Sequence, residues 1–405
     1  MTRRNIVQAY VACCLKNLQF FGPVAVPFFL DWLRVDYTRM FVLQAWFLFW
    51  VFIFEIPTGV VADKIGRKFS VAAGCLLFGV DMLFFGLTTS YPLLFVAEFL
   101  GAVGLTLVSG AEQALLYDSL AALGLQDRAR HYFARYEAAG ALGLLLSFPV
   151  GSLVASLGQY PRSLAVTFLM TVASCALAAA AYFMMAEPER TRPTEGFIRM
   201  GVQGLRTLFV HAELRAYALN AVTISAVTFF AFWFYQPVAL RAGLPLAWLG
   251  VLAAGFNLFS TLLLSNSALL ERVLGLGRLL TLTALAPAVL YASLGAVRSL
   301  PFIVTAFFLL VGCKMVRMPL LNDLINRHIE SENRATVISS VSLLERFITF
   351  VLYPVVGGLA DLSVDYALYL LAALCALFAL STRLSARQLR QAEGTPPGDS
   401  VGATT

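Results

Sequence analysis

Charge is scarce in this chain. Only 13% of its 405 residues are Asp, Glu, Lys or Arg, against roughly 25% in a soluble domain, which excludes an ordinary water-soluble enzyme. Histidine is scarcer still: His131, His211 and His328 are the only three, all in polar connecting segments, so no His-based catalytic set falls inside an apolar stretch. No Gly-x-x-x-x-Gly-Lys-Ser loop occurs, which disfavours direct coupling to ATP. The six Cys lie within apolar runs without metal-type spacing, and Cys13 and Cys14 are sequence neighbours that cannot easily bridge. They read as small core residues. No metal, no cofactor and no enzymatic activity is expected.

What the chain has in abundance is apolar side chain: 60% of its residues are hydrophobic, 33 are Phe, and the mean hydropathy is +0.80. Short polar clusters break the apolar runs throughout, leaving no stretch of ~100 residues able to fold as a separate soluble domain. A polytopic membrane protein follows, with the lipid bilayer around it. The net charge of +6 comes from basic residues scattered between apolar segments, the pattern that orients a membrane protein, so nucleic acid is not an expected partner. The apolar stretch after Met-Thr-Arg-Arg is too long for a signal-peptide core of roughly 7–15 residues and is expected to remain as an anchor.

A helix needs roughly 20 apolar residues to cross the hydrocarbon core. On that ruler spans fall at 5–30, 38–61, 69–88, 92–118, 131–156 and 162–185, then at 215–238, 245–268, 279–297, 301–322, 335–358 and 364–384. The expected fold is an all-α membrane protein of 12 transmembrane helices in two pseudo-symmetric six-helix bundles, residues 1–186 and 215–385. Between them, 187–214 reads as a cytoplasmic linker whose Phe197, Ile198, Val202, Leu205, Leu208 and Phe209 form an amphipathic stretch. Residues 386–405 read as a disordered tail, rich in Gly, Pro, Ser and Thr. With both termini inside, twenty Lys and Arg fall on the inner side and five outside, which places the termini in the cytoplasm of a cell whose inner membrane holds the protein.

The halves repeat. Leu115-Leu116-Tyr117-Asp118 matches Leu320-Leu321-Asn322-Asp323, Arg128-Ala129 matches Arg334-Ala335, and Pro149-Val150-Gly151 finds a counterpart in Pro354-Val355 and Gly357, all at an offset of 205 or 206. Matches in register over so long a stretch argue for a duplicated six-helix unit.

Between the second and third spans stands Gly59-Val60-Val61-Ala62-Asp63-Lys64-Ile65-Gly66-Arg67-Lys68. Gly66 can turn the chain, Asp63 can cap a helix or hold a cation, and Arg67 and Lys68 stay on the cytoplasmic side. Here the sequence resembles the major facilitator superfamily, whose loop between helices 2 and 3 has this pattern at every position. The second half keeps a degenerate copy in Glu271-Arg272-Val273-Leu274-Gly275-Leu276-Gly277-Arg278. The resemblance covers residues 1 to about 385. It implies secondary transport of a small-molecule substrate by alternating access, through two six-helix bundles around a central cavity, in a protein expected to be a monomer. Two departures from common family patterns stand out: Glu98 precedes Phe99-Leu100-Gly101-Ala102-Val103-Gly104 where many members, proton-linked drug exporters among them, carry Arg, and Phe148-Pro149-Val150-Gly151-Ser152 only partly matches the Gly-Pro-x-x-Gly of drug antiporters.

An ionisable group at the bilayer centre costs at least ~2.5–3.5 kcal/mol, so each one is a functional candidate. The spans hold Lys16, Glu55, Asp81, Glu98, Glu112, Glu137, Lys314, Arg317, Glu345 and Arg346. The resemblance places helices 1, 4, 7 and 10 along the cavity, which makes Lys16, Asn17, Gln19, Gln113, Trp233, Lys314 and Arg317 the substrate candidates. Glu112, then Glu98 and Glu345, are the candidates for carrying a coupling proton. Asp118 and Asp323, near Arg67 and Arg278, join the loop motif as gate residues. Three cations against Glu112 on the same four helices tilt the expected substrate slightly toward an anion, with a proton-linked exporter of neutral or cationic compounds as the alternative. Asp81 has no evident partner in the sequence.

Overall fold

In a computed structural model, residues 4–187, 211–327, 329 and 334–382 are described. The linker segment 188–210, the tail from 383 onward and His328 lie outside the described residues. Every regular element among those described is helical. Helix α1 spans Arg4–Lys16, α2 Tyr37–Ile65, α3 Arg67–Leu87, α4 Tyr91–Ala121, α5 Ala129–Leu157 and α6 Arg162–Phe183. The second half follows with α7 Ala212–Phe229, α8 Ala231–Arg241, α9 Leu246–Ser265, α10 Ser267–Leu274, α11 Leu276–Ala296, α12 Leu300–Arg327, α13 Arg334–Leu362 and α14 Val364–Ser381. Among the described residues eleven spans are long and apolar enough to cross a membrane, and the segmented stretch 4–32 stands in the place of a twelfth.

That first crossing departs from the single span expected over 5–30. α1 stops at Lys16, and the chain then runs through a 3-10 turn at Gly22–Val24, one α turn at Ala25–Pro27 and a π turn at Phe28–Trp32. Pro23 opens the 3-10 turn, where a missing N–H costs nothing, and Pro27 closes the α turn. Asn17 Nδ2 donates to Cys13 O at 2.8 Å, a carbonyl that also accepts from Asn17 N at 3.1 Å, so the side chain folds back on the last turn of α1. The seventh crossing is interrupted as well, between α7 and α8 at Phe230. The two broken helices thus occupy the same place, first of six, in each half.

Local chemistry explains the long helices. Asp36 caps α2, accepting from Arg39 N at 2.7 Å. Gly66, at φ +129°, ends α2 and starts α3 in one residue, and Gly275, at φ +77°, does the same between α10 and α11. Both conformations are ones L side chains rarely adopt, so the loop motif and its degenerate copy keep the glycine that makes the turn.

The chain divides into two compact units, residues 1–195 with 243–257, and residues 196–242 with 258–405. The first unit is built on tight α3–α4 packing: a Cβ on Gly74 would meet Gly104 O at 2.6 Å, and one on Gly104 would meet Gly74 O at 2.7 Å. Backbones approach this closely only where side chains are absent, the usual device for helix association in lipid. Residues 243–257 join this unit because Gly250 lies against the Phe148 carbonyl and Ser152 Oγ donates to Ala247 O at 2.8 Å. The second unit centres on Tyr217, Val222, Leu280, Val316, Leu321 and Val337. Leu76, Leu142, Leu153, Leu258 and Val289 are exposed on the helix exteriors, as lipid-facing positions of an integral multi-pass membrane protein require.

Candidate functional site

In the first unit the break after α1 carries a polar cluster. Lys16, the last residue of α1, sits where the negative end of the helix dipole favours a cation. Its ammonium donates to the Glu112 carboxylate of α4. The same carboxylate accepts from Tyr136 OH of α5 at 2.9 Å, and Tyr136 shares a 2.8 Å hydrogen bond with Tyr182 OH of α6. Four helices therefore converge on Glu112, whose side chain keeps 14% exposure while Lys16 keeps 22%. Asn17 packs against α5: a Cβ on Gly143 would be 3.0 Å from Asn17 Cβ. Gln19 is half-buried in the break, and Gln113, one residue past Glu112, is exposed.

The second unit has its cluster at the matching break. The Lys314 ammonium of α12 lies 4.8 Å from the Phe229 ring centroid at the end of α7, a cation–π contact. Glu345 of α13 accepts a hydrogen bond from Ser225 of α7. Trp233 Nε1 donates to Tyr353 OH at 3.3 Å, and the Phe229 and Phe230 rings pack edge-on against Tyr353. Arg317 goes elsewhere, although it stands three residues from Lys314. It is 1% exposed, donates to Leu280 O at 2.6 Å and Thr283 Oγ1 at 3.1 Å, and bonds Asn220 Oδ1. Its guanidinium is thus held by neutral acceptors inside the packing of α7, α11 and α12.

At the loop motif Arg67 ion-pairs with Asp118 at the end of α4, lies 3.9 Å from Asp63, and donates to Ala114 O at 3.1 Å. Lys68 Nζ donates to Met185 O at 3.0 Å and Lys64 is exposed. Glu187 closes the arrangement by accepting from Arg67 N at 2.8 Å and Lys68 N at 3.0 Å, a carboxylate on the first turn of α3. The copy in the second half is wired differently: Asp323 pairs with Arg327 of its own helix, and Arg278 is exposed. The cause is a register difference. Arg67 follows its turn glycine directly, whereas Leu276 follows Gly275 and is buried, leaving Arg278 two residues further round the helix.

Some partners were absent from the sequence expectations. Tyr136 and Tyr182 complete the Glu112 network, and the signal available was a pair of phenols inside otherwise apolar spans, each needing a hydrogen-bond partner. Asp365 is clamped by Arg241 and Arg298, an interaction that only the fold makes visible.

The family model described as Major Facilitator Superfamily matches residues 17–352. No curated protein sequence matches the chain. Among solved structures, the nucleoside transporter NupG is similar with a TM-score of 0.76 at 12% identity, covering 94% of this chain and 97% of that one. A POT family transporter in complex with 5-aminolevulinic acid gives 0.74 at 12% identity, covering 93% and 95%. A bacterial homolog of the human lysosomal transporter Spinster gives 0.70 at 14% identity, covering 96% and 92%. At such identities the likeness speaks for the fold, and with the family match over most of its length the chain belongs to the Major Facilitator Superfamily.

Proposed function

We propose that this protein is a secondary active transporter that moves a small organic solute by alternating access and couples the movement to protons. The observation that carries the reading is the pair of interrupted helices, first and seventh, each with ionisable groups at its break: Lys16 and Glu112 at one, Lys314 and Glu345 at the other. Interrupted helices in corresponding positions of two repeats are where secondary transporters hold substrate and coupling ion. Glu112 is the proposed proton carrier. A proton arriving on it dissolves the ion pair and frees Lys16, so that protonation and the availability of a cation are one event. Glu98 and Glu345 are the next carboxyls in line. Asn17, Gln19, Gln113 and Trp233 are the proposed polar and aromatic contacts for substrate.

The sign of the substrate rests on fewer cations than the sequence count suggested. Lys16 is already neutralised by Glu112 and Arg317 is enclosed by neutral acceptors, so Lys314 is the cation proposed to meet an anionic group. The same pairing favours the second reading, an exporter of neutral or cationic compounds. We also propose domain limits at 1–186 and 215–385, a monomer, and an inner-membrane location with both termini in the cytoplasm. The gate is assigned to Gly59, Asp63, Lys64, Gly66, Arg67, Lys68 and Asp118, with Asp323 and Arg278 as its weaker counterpart. A thermal-shift screen of the purified protein against nucleosides, peptides, sugars, organic acids and drug-like amines tests the substrate class. A hit is then reconstituted, and Glu112→Gln should lose accumulation driven by a pH gradient while keeping exchange. Gradient-driven accumulation in Glu112→Gln would move the coupling group elsewhere.

A further inference from the structure

Away from the Glu112 cluster, two carboxyls are buried in the core of the first unit. Asp81 of α3 is 1% exposed and Glu98 of α4 is 4% exposed. The Asp81 carboxyl lies directly on the Gly101 backbone, since a Cβ there would sit 2.1 Å from Oδ2. Gly101 is three residues along from Glu98, so the Asp81 carboxyl of α3 meets the face of α4 that carries Glu98. Gln44 of α2 donates to Glu98 Oε1 at 2.8 Å. Asp81 Oδ1 is buried with no hydrogen-bond partner among the described residues.

Among the described residues the surroundings supply no compensating cation. From α6, the group near Asp81 is the Cys175 thiol. From α2, apart from Gln44, the charged residues are Arg39, which lies at the exposed end with Asp36 and Tyr91, Glu55 near Ser109, and at the opposite end Asp63, by Arg67, and the exposed Lys64. On α1 the nearest cation is Lys16, held by Glu112 at the level of Cys75 rather than Asp81. On α5, Glu137 is exposed and Tyr136 is engaged with Glu112. No group of three or more His, Cys, Asp or Glu able to hold a metal ion occurs among the described residues.

Two ionised carboxylates in such a place would be acceptors facing acceptors, in a low dielectric and without counter-charge. A single proton removes the difficulty. It turns one carboxyl into an O–H donor, supplies the partner that Asp81 Oδ1 lacks, and leaves one negative charge steadied by the Gln44 amide. Gln44 fits this account because its amide donates to Glu98 rather than accepting from it. We infer that Asp81 and Glu98 form a proton-binding site, one proton shared between α3 and α4, and that its loss forces these two helices apart. Contact as close as that at Gly101 cannot coexist with two full charges. The site lies outside the Lys16–Glu112 cluster and stands whether or not that cluster couples transport.

The test needs no substrate. Full-length protein in nanodiscs is examined by infrared spectroscopy at neutral pH, where the wild type should show the C=O stretch of a protonated, non-exchanging carboxylic acid, and Asp81→Asn or Glu98→Gln should each lose it. Thermal melts give a second readout. With the proton held only in the folded state, wild-type stability falls as pH rises above the ordinary carboxyl range, by roughly 1–2 °C per pH unit for a chain of this size, and each neutral variant should flatten that slope. Asp81→Asn places an amide against Gly101, so Glu98→Gln is the variant that keeps the test decisive if the first does not fold. A band that survives both substitutions, or an unchanged slope in Glu98→Gln, overturns the proposal. So does a rise in wild-type melting temperature with sodium that the variants lack, because the ligand is then a metal cation.

Discussion

The Arg67–Asp118 pair allows a quantitative forecast that separates it from the sequence-adjacent Arg67–Asp63 pair. Both side chains of the first pair are about four-fifths buried, at 18% and 21% exposure, and they are in direct contact. Asp63 is 28% exposed and reaches Arg67 only at 3.9 Å. For unit charges at ~4 Å in an effective dielectric of ~20, the gross attraction is about 4 kcal/mol. Desolvation of two mostly buried ions takes back more than half of it, leaving a net coupling of about 1–2 kcal/mol. The looser Asp63 pair should couple by less than about 0.5 kcal/mol. A double-mutant cycle of Arg67→Met with Asp118→Asn measures the first, and one with Asp63→Asn measures the second. Read as melting temperatures by tryptophan fluorescence in detergent, the first coupling amounts to roughly 1–2 °C for a chain of this size. Raising the salt concentration should shrink the second coupling proportionally more, because its acid is the more exposed. Coupling at Asp63 equal to or larger than that at Asp118 would refute the reasoning, and with it the assignment of Asp118 as the principal latch of the loop.

Other perturbations follow from the same geometry. Glu112→Gln strands the Lys16 ammonium without its counter-ion and should cost about 3–5 kcal/mol, most of it recovered in Lys16→Met/Glu112→Gln; equal melting of single and double variants would show that the pair is not a unit. Gly101→Ala drives a methyl to 2.1 Å from Asp81 Oδ2 and should destabilise by about 1–3 kcal/mol, with relief when Asp81→Ala is added. Absence of relief in calorimetry would mean that the strain lies elsewhere. Glu187→Gln removes the charge from the two bonds that hold the first turn of α3 and should speed amide exchange there by roughly 2–5-fold, whereas unchanged exchange would deny the cap its role.

The twelve crossings were legible because apolar length is a sum over a window and tolerates local irregularity. The turn glycines were legible too: Gly66 adopts the positive φ that its place in the loop requires, and Gly275 repeats it. What the window hid was the state of the first crossing, where an apolar run containing Pro23 and Pro27 reads as one span and folds as a helix followed by short turns. The charged residues were legible as a set, but not their wiring. Spacing put Lys314 and Arg317 together, yet one rests on an aromatic ring and the other is sealed among Asn220, Thr283 and the Leu280 carbonyl. Asp323 looked like the twin of Asp118, and a two-residue difference after the turn glycine sent it to Arg327 instead.

By itself the sequence determined that this chain lives in a bilayer, that it repeats a pattern of six apolar spans, and that each buried charge is a candidate for function, while the facilitator type entered through the resemblance of its Gly59–Lys68 loop. Those conclusions depend on composition, run length and local turn chemistry, which neighbouring residues decide among themselves. The tertiary structure decided the partners: Glu112 with Lys16 and Tyr136, Asp118 with Arg67, and Asp81 beside Glu98 against Gly101. Partner choice depends on how each helix is rotated and which neighbour it meets. Those are set by close backbone contacts such as Gly74 on Gly104, between residues thirty positions apart, where no local pattern reaches.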